Sequence, residues 1–310
     1  MAIECTPVAH ASHLRQPAQA SSSRLHACLA AARRSLAGIA VAGIAAATVA
    51  TPASAREDHY FAIGYTVSLN GIPLGKGSFS GRVAGGAYRL KGDARLTGIA
   101  GMLFEYKATG EVDGRLGRAN HSPRRFGSSA SDERSSQVVS MSFSRGRVDQ
   151  LSIRPTVRAS KDYISVRSGH MTNVVDPMTA MIISAGSDGT LSPDDCNRTI
   201  PVFNGRERFD LVLRYKGMQN VSGNRRTTYV GPAVVCQALY RPIAGHRPGR
   251  GEIEYYANRK DMEVWLAPAG DTGLLVPVRM VVPTPIGTGI IQATAFAASY
   301  ASVGHTAATR

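Results

Sequence analysis

The feature that most constrains this chain is the recurrence of turn signals between runs of β-prone residues. In "HYFAIGYTVSLNGIPLGKGSFSGRV" the run from Tyr60 to Leu69 meets Asn70-Gly71, and a second run follows. Asn-Gly accepts positive φ at both central positions of a type I′ turn, whose twist matches the flanking strands. The same grammar returns. Gly85-Gly86 leads into "AYRLKGDARLTG", "LFEYKATGEV" runs to Asp113-Gly114, and "SQVVSMSFS" reaches Arg145-Gly146 before "RVDQLSIR". In the second half, β-prone runs stand at Phe209 to Tyr215, Thr227 to Val230, Ala233 to Tyr240, Glu252 to Ala257, Met262 to Leu266, Val276 to Val282 and Gly287 to Phe296. About a dozen strands in meander order favour a sheet that closes or spirals over a flat one with long exposed edges. The expected fold is all-β with one short helix, an antiparallel open barrel or β-spiral.

The one helix is expected at Asp176 to Ala185, within "NVVDPMTAMIISAG". Asp176 and Pro177 are residue types suited to an N-cap and a first helical position, and Gly186 is a stop. Met178, Met181 and Ile182 then share an apolar face that must be buried against the concave side of the curved sheet. By contrast, "RANHSPRRFGSSASDERSS" (Arg118 to Ser136) is polar and Ser-rich and reads as a long, mobile connection.

The front of the chain sets the compartment. Arg33-Arg34 precedes an apolar stretch of small residues from Leu36 to Ala50, then Ala53-Ser54-Ala55. This is the pattern of an export signal with a long basic front, cleaved after Ala55, and the competing reading is a retained anchor. Whether the arginine pair marks the twin-arginine route or the general one stays open. The expected organisation is an export signal over 1–55, one β-domain over 56–300 and a flexible tail over 301–310; the expected location is the periplasm.

The formal net charge is +14, and +11 once a leader with four Arg and one Glu is removed. These charges are scattered, with no basic stripe interleaved with aromatics, so the chain lacks the footprint of a nucleic-acid binder. The leader takes Cys5 and Cys28 with it and leaves Cys196 and Cys236, an even pair in an oxidising compartment. That pairing is expected as a disulfide, because a metal pair would want closer spacing or His companions. Cys196 also opens "CNRTIPVFNGRERFDLVL", where Asn204-Gly205 is a turn signal. The strand after it puts Glu207, Phe209, Leu211 and Leu213 on one side and Arg206, Arg208 and Asp210 on the other.

Catalytic patterns are missing. "GSFSG" (Gly77 to Gly81) has Phe79 where a nucleophile elbow needs Ser. "NGIPLGKG" (Asn70 to Gly77) lacks the spacing of a phosphate loop and the hydroxyl residue after Lys76. His59, His121, His170, His246 and His305 are isolated and read as ordinary surface or loop residues, and Asp194-Asp195 as turn carboxylates. No enzyme activity, cofactor or metal is expected.

"YTVSLNGIPLGKGSFSG", "VVDPMTAMI", the cysteine followed by "PVFNGRERFDLVL", and "VCQALYRPIAGH" occur in this order from about Tyr60 to Phe296. In these features the chain resembles the exported bacterial family known as domain of unknown function 3108. His246 stands where an aromatic would be expected, and the Ser-rich segment departs from the pattern. The resemblance implies a periplasmic, non-catalytic β protein, similar to the curved-sheet lipoprotein carriers of that compartment. The functional expectation is a binder of a lipid or other anionic amphiphile, or of an envelope component, in the concave face. In that reading Met178, Met181 and Ile182 receive the apolar part, and Arg206 or Arg208 reads the head. The alternatives are a scaffold with a self-filled core that docks an envelope protein and, more remotely, a hydrolase of envelope polymers. Membrane contact is expected only through the cleaved signal.

Overall fold

The computed structural model describes residues 58–118, 120–156, 161–186, 190–224, 226 and 228–299. The expected export signal, the cleavage expected after Ala55 and the tail expected from 301 to 310 lie outside the described residues. Seven strands come first: β1 (His59–Leu69), β2 (Ile72–Ala84), β3 (Ala87–Leu96), β4 (Tyr106–Arg115), β5 (Ser122–Asp132), β6 (Ser136–Ser144) and β7 (Arg147–Arg154), with helix α1 (Gly98–Leu103) between β3 and β4. A crossing segment carries 3₁₀ turns at Ser168–Met171, Thr179–Met181 and Pro193–Cys196 and the short strand β8 (Ile183–Ser184). The chain then forms β9 (Arg198–Phe203), β10 (Arg208–Val221), β11 (Gly231–Ala244), helix α2 (Gly251–Asn258), β12 (Glu263–Pro268), β13 (Leu274–Thr284) and β14 (Gly287–Ala298).

All fourteen strands belong to one antiparallel sheet, in the order β7-β6-β5-β4-β3-β2-β1-β14-β13-β12-β11-β10-β9, with β8 on β13. The first and last long strands therefore pair in mid-sheet, from Phe61 opposite Ala298 to Leu69 opposite Gly289. The edges are β7 and β9, and they do not pair with each other. A strap of the crossing segment lies between them: Thr172 bridges Arg147, and Val175 bridges Val202. Its backbone is bonded to both sides. Asn173 N–H donates to Gly146 O at 2.6 Å, Val175 N–H donates to Pro201 O at 2.8 Å, and Phe203 N–H donates to Val175 O at 2.9 Å. Edge groups that would otherwise face solvent are satisfied this way. The expected open barrel or spiral is thus observed as an open, barrel-like sheet with a strapped seam.

Local chemistry explains most of the strand boundaries. Asn70 and Gly71 have φ of 48° and 83°, and Arg145 and Gly146 have 50° and 73°, as type I′ turns require. Asp113-Gly114 is a register shift inside β4 rather than a turn. The segment expected as a mobile connection holds β5, because Pro123 and Phe126 are buried while Arg124 and Arg125 reach Asp113 in solvent at 2.6 and 3.0 Å. Its serines, half-buried or exposed, lie in and beside a strand of the sheet and not in a linker.

The helices also differ from expectation. Among the described residues there are two, α1 and α2, and neither is at Asp176 to Ala185. Residues 252–257, expected as a strand, lie in α2. β11 pairs directly with β12, so no strand fits between them, and Glu252 and Glu254 favour a helix first turn. The run expected at 227–230 falls in the connection from β10 to β11, with Thr227 outside the described residues.

Cores form on two faces. One cluster joins Phe61, Phe79, Tyr88, Leu90, Val112, Phe126 and Met141 of the first half to Phe203, Ala233, Ala267, Leu274, Val276 and Val278 of the second, with Met178 and Ile182 packed in. A second cluster contains Ile183, Cys196, Leu213, Val234, Cys236, Leu266 and Leu275. Neighbours in sequence alternate between the clusters (Ala233 and Val234, Leu266 and Ala267, Leu274 and Leu275), so β11 to β13 are apolar on both faces. Cys196 and Cys236 form a disulfide, with S–S 2.01 Å and Cα–Cα 5.3 Å. It pins the end of the crossing segment to β11.

Candidate functional site

Asp176 starts a turn, as its residue type predicts, but the helix stops after one turn. Its Oδ1 accepts from Met178 N–H at 2.9 Å and Thr179 N–H at 3.0 Å, and its Oδ2 accepts from Thr179 Oγ1 at 2.5 Å. Thr179 has spent its only hydroxyl hydrogen there, so Tyr88 Oη donates to Thr179 Oγ1, 2.9 Å away. Ile183 and Ser184 then pair with β13 at Leu274 and Leu275. β14 pairs with β13 only from Arg279 onward, which leaves that side of β13 open to a new partner. The vacant sheet edge outcompetes further helical turns, and Pro177 stands at the head of the turn. Burial raises the Asp176 carboxyl above its ordinary range, against the pull of its hydrogen bonds to Thr179 and Met178.

Met178 fills the interior. A β-carbon at Gly110 would stand 2.7 Å from its Sδ and one at Gly92 3.5 Å from its Cε, so the thioether lies flat over β3 and β4 where no side chains intervene. His121 and His246 lie in loops, as one arm of the expectation has it, but both are buried rather than at the surface. Gly117 N–H donates to His121 Nδ1 at 3.3 Å, so the imidazole's other nitrogen serves its bond to the Ile182 backbone. Burial and then the nearby charge of Arg198 lower its pKa to about 4. Asp176, Thr179, Tyr88 and His121 together fasten the crossing segment to β3 and β5.

A cavity of about 450 Å³ opens on the second face of β10 to β13, beneath α2. Met181, Ile183, Leu211, Leu213, Val264 and Met280 are among its lining, and Ile253 and Tyr256 of α2 close over it. This volume falls within the ~300–1,000 Å³ of small-molecule sites. Polar lining comes from Glu207, Tyr240, Arg250, Glu252 and Glu263. α2 covers the space with no fully buried residue of its own.

The expected ligand residues do not come together. Met181 lines this cavity, whereas Met178 and Ile182 belong to the interior cluster. Arg206 lines a separate space with Tyr163, Ile164 and Val166. Arg208 is not in the cavity lining and pairs with Asp210 at 2.7 Å. Asn204 and Gly205 build the β9–β10 turn as expected: Asn204 Oδ1 accepts from Arg206 N–H at 2.9 Å and Glu207 N–H at 2.7 Å. Leu211 and Leu213 of β10, with Glu207 just before the strand, do line one space together. The cavity itself was missed because its cover, α2, was read as a strand; the Glu-rich first turn was the available signal.

Among the described residues no group of three or more His, Cys, Asp or Glu could hold a metal ion, and no helix is long and apolar enough to cross a membrane. A family model described as "Protein of unknown function (DUF3108)" matches residues 64–295. Among solved structures, the crystal structure of a beta-barrel-like protein of domain of unknown function DUF1849 from Brucella abortus is similar, at a TM-score of 0.46 and 7% identity, over 78% of this chain and 98% of that one. No curated protein matches.

Proposed function

This chain belongs to the DUF3108 family, and from that premise we propose that it is a non-enzymatic periplasmic envelope protein that binds an amphiphile, with the apolar part held in the cavity beneath α2. The observation that carries the reading is that cavity: about 450 Å³ of mostly aliphatic lining on a face apart from the packed interior. Burial of apolar surface there stabilises a bound tail by roughly 25 cal/mol per Å². The disulfide is compatible with an exported chain. The non-catalytic reading is supported by where the buried polar groups sit. Asp176, Thr179, Tyr88 and His121 hold the crossing segment in place, and none of them lines the cavity.

A second reading, a scaffold docking an envelope protein, is favoured by the filled interior and by exposed apolar side chains at one end of the sheet. Met102, Leu103 and Phe104 of and after α1, with Ile72 and Ile286, are 60–86% exposed. Native mass spectrometry of protein taken from its own compartment separates the two. Release of a lipid-sized molecule that delipidated protein rebinds supports the carrier. A protein that binds no amphiphile after delipidation removes the carrier reading.

A further inference from the structure

Resting on the cavity as an amphiphile site, we infer that its preferred occupant carries an ammonium in its head group rather than an anionic head alone. The polar lining is three glutamates, one arginine and two tyrosines, in a chain whose overall charge is +14. Screening over roughly 8 Å at physiological salt makes the near groups decide what the mouth accepts.

These groups are not equally committed. Glu263 is held by Lys216 and accepts from Trp265 Nε1 at 3.1 Å. Arg250 and Glu252 approach only to 4.0 Å, with both side chains more than half exposed, a geometry worth little. Glu207 has no ion pair among the described residues and is half-buried beside the apolar lining. Tyr240 lines the cavity with both carboxylates and feels them: burial first, then the charges of Glu207 and Glu252, push its hydroxyl pKa up to about 12. Its ring is backed by Phe209 at 5.2 Å.

Carboxylates and tyrosine rings lining one space are the chemistry that receives a cationic nitrogen, by charge and by attraction to the rings. α2 already holds one cation this way, with the Arg259 guanidinium 5.1 Å over Tyr255, the neighbour of the lining residue Tyr256. An anionic head at the same mouth would meet Glu207 and Glu252 with only Arg250 to receive it. A zwitterionic head satisfies both signs, its ammonium at Glu207 and its anion at Arg250.

The test is calorimetric titration of the delipidated, disulfide-bonded chain with dodecylammonium, dodecyl maltoside and dodecanoate, each below its micellar concentration. The expected result is an affinity for dodecylammonium about tenfold or more above that for dodecanoate, a gap of about 1.4 kcal/mol. In the Glu207→Gln, Glu252→Gln double variant, with an unchanged thermal transition as the folding control, that ratio falls to about one. Dodecanoate binding as tightly as dodecylammonium, or a preference that survives both substitutions, overturns the inference and leaves the cavity reading standing. Failure of all three probes, the uncharged maltoside included, brings down both.

Discussion

Replacing His121 with Gln should flatten the acid side of the stability curve. In the folded protein His121 is held neutral, with a pKa of about 4 set first by burial and then by Arg198. In the unfolded chain it returns to about 6.5. Between these values the unfolded state binds a proton that the native state refuses, so stability is full above pH 6.5 and is lost as pH falls toward 4. At about 1.36 kcal/mol per pKa unit the loss is about 3 kcal/mol. The structural reason is direct: a proton on Nδ1 would point at the Gly117 N–H that now donates to it. Asp176 works in the other direction, since its raised pKa makes acid favourable to the folded state, so the net slope is read against a variant and not alone. The assay is urea unfolding at a series of pH values from 7.5 to 4 for wild type and His121→Gln. The wild type should lose about 3 kcal/mol more than the variant over this range. Equal losses in the two proteins, or a His121 imidazole that titrates near 6.5 in native NMR spectra, would refute the reasoning.

Reducing the disulfide, or replacing both cysteines with Ala, closes one fewer loop over a separation of 40 residues, and the chain-entropy relation gives about 4 kcal/mol. Denaturant midpoints with and without reductant measure it, and the native, unreduced pair should offer no reactive thiol. Gly81→Ala would set a β-carbon 2.3 Å from the Phe61 ring and 2.9 Å from Leu90, so it should destabilise by about 1–3 kcal/mol. Gly127→Ala, where nothing lies within 4 Å, should change stability by about 0.5 kcal/mol or less, and thermal melting compares the two. Met178→Ala should cost about 2–5 kcal/mol and speed amide exchange at Asn173 and Val175, because the strap loses the plug behind it. Ala238→Trp fills part of the cavity and should abolish binding of a neutral amphiphile in a fluorescence titration.

Much of the fold was legible because its signals are local. Asn70-Gly71 and Arg145-Gly146 dictate turns through backbone φ alone, and the two cysteines that follow the expected leader admit one pairing. Where the reading failed, a distant partner decided the outcome. The Arg118 to Ser136 segment looks like a linker until β4 and β6 flank it and Pro123 and Phe126 turn inward. "DPMTAMIIS" carries a sound helix start at Asp176, yet the unpaired end of β13 captures Ile183 and Ser184 as a strand. Residues 252–257 look β-prone by type, but β11 and β12 leave them no place in the sheet. The site suffered most, because Met181 reaches the cavity while Met178, Ile182, Arg206 and Arg208 are drawn elsewhere by packing, a turn and an ion pair.

The pairing of β1 with β14 has a consequence for wiring. Ser299 N–H donates to Tyr60 O at 2.9 Å, so the two ends of the described sheet already touch. Joining them with a short linker and cutting the chain just before β9 would give a circular permutant in which the thirteen long strands follow one another in space as they do in sequence. All of the most distant pairing in the native order becomes a hairpin. Such a permutant should reach the same sheet faster than the natural order, in which the first long strand waits for the last to be made.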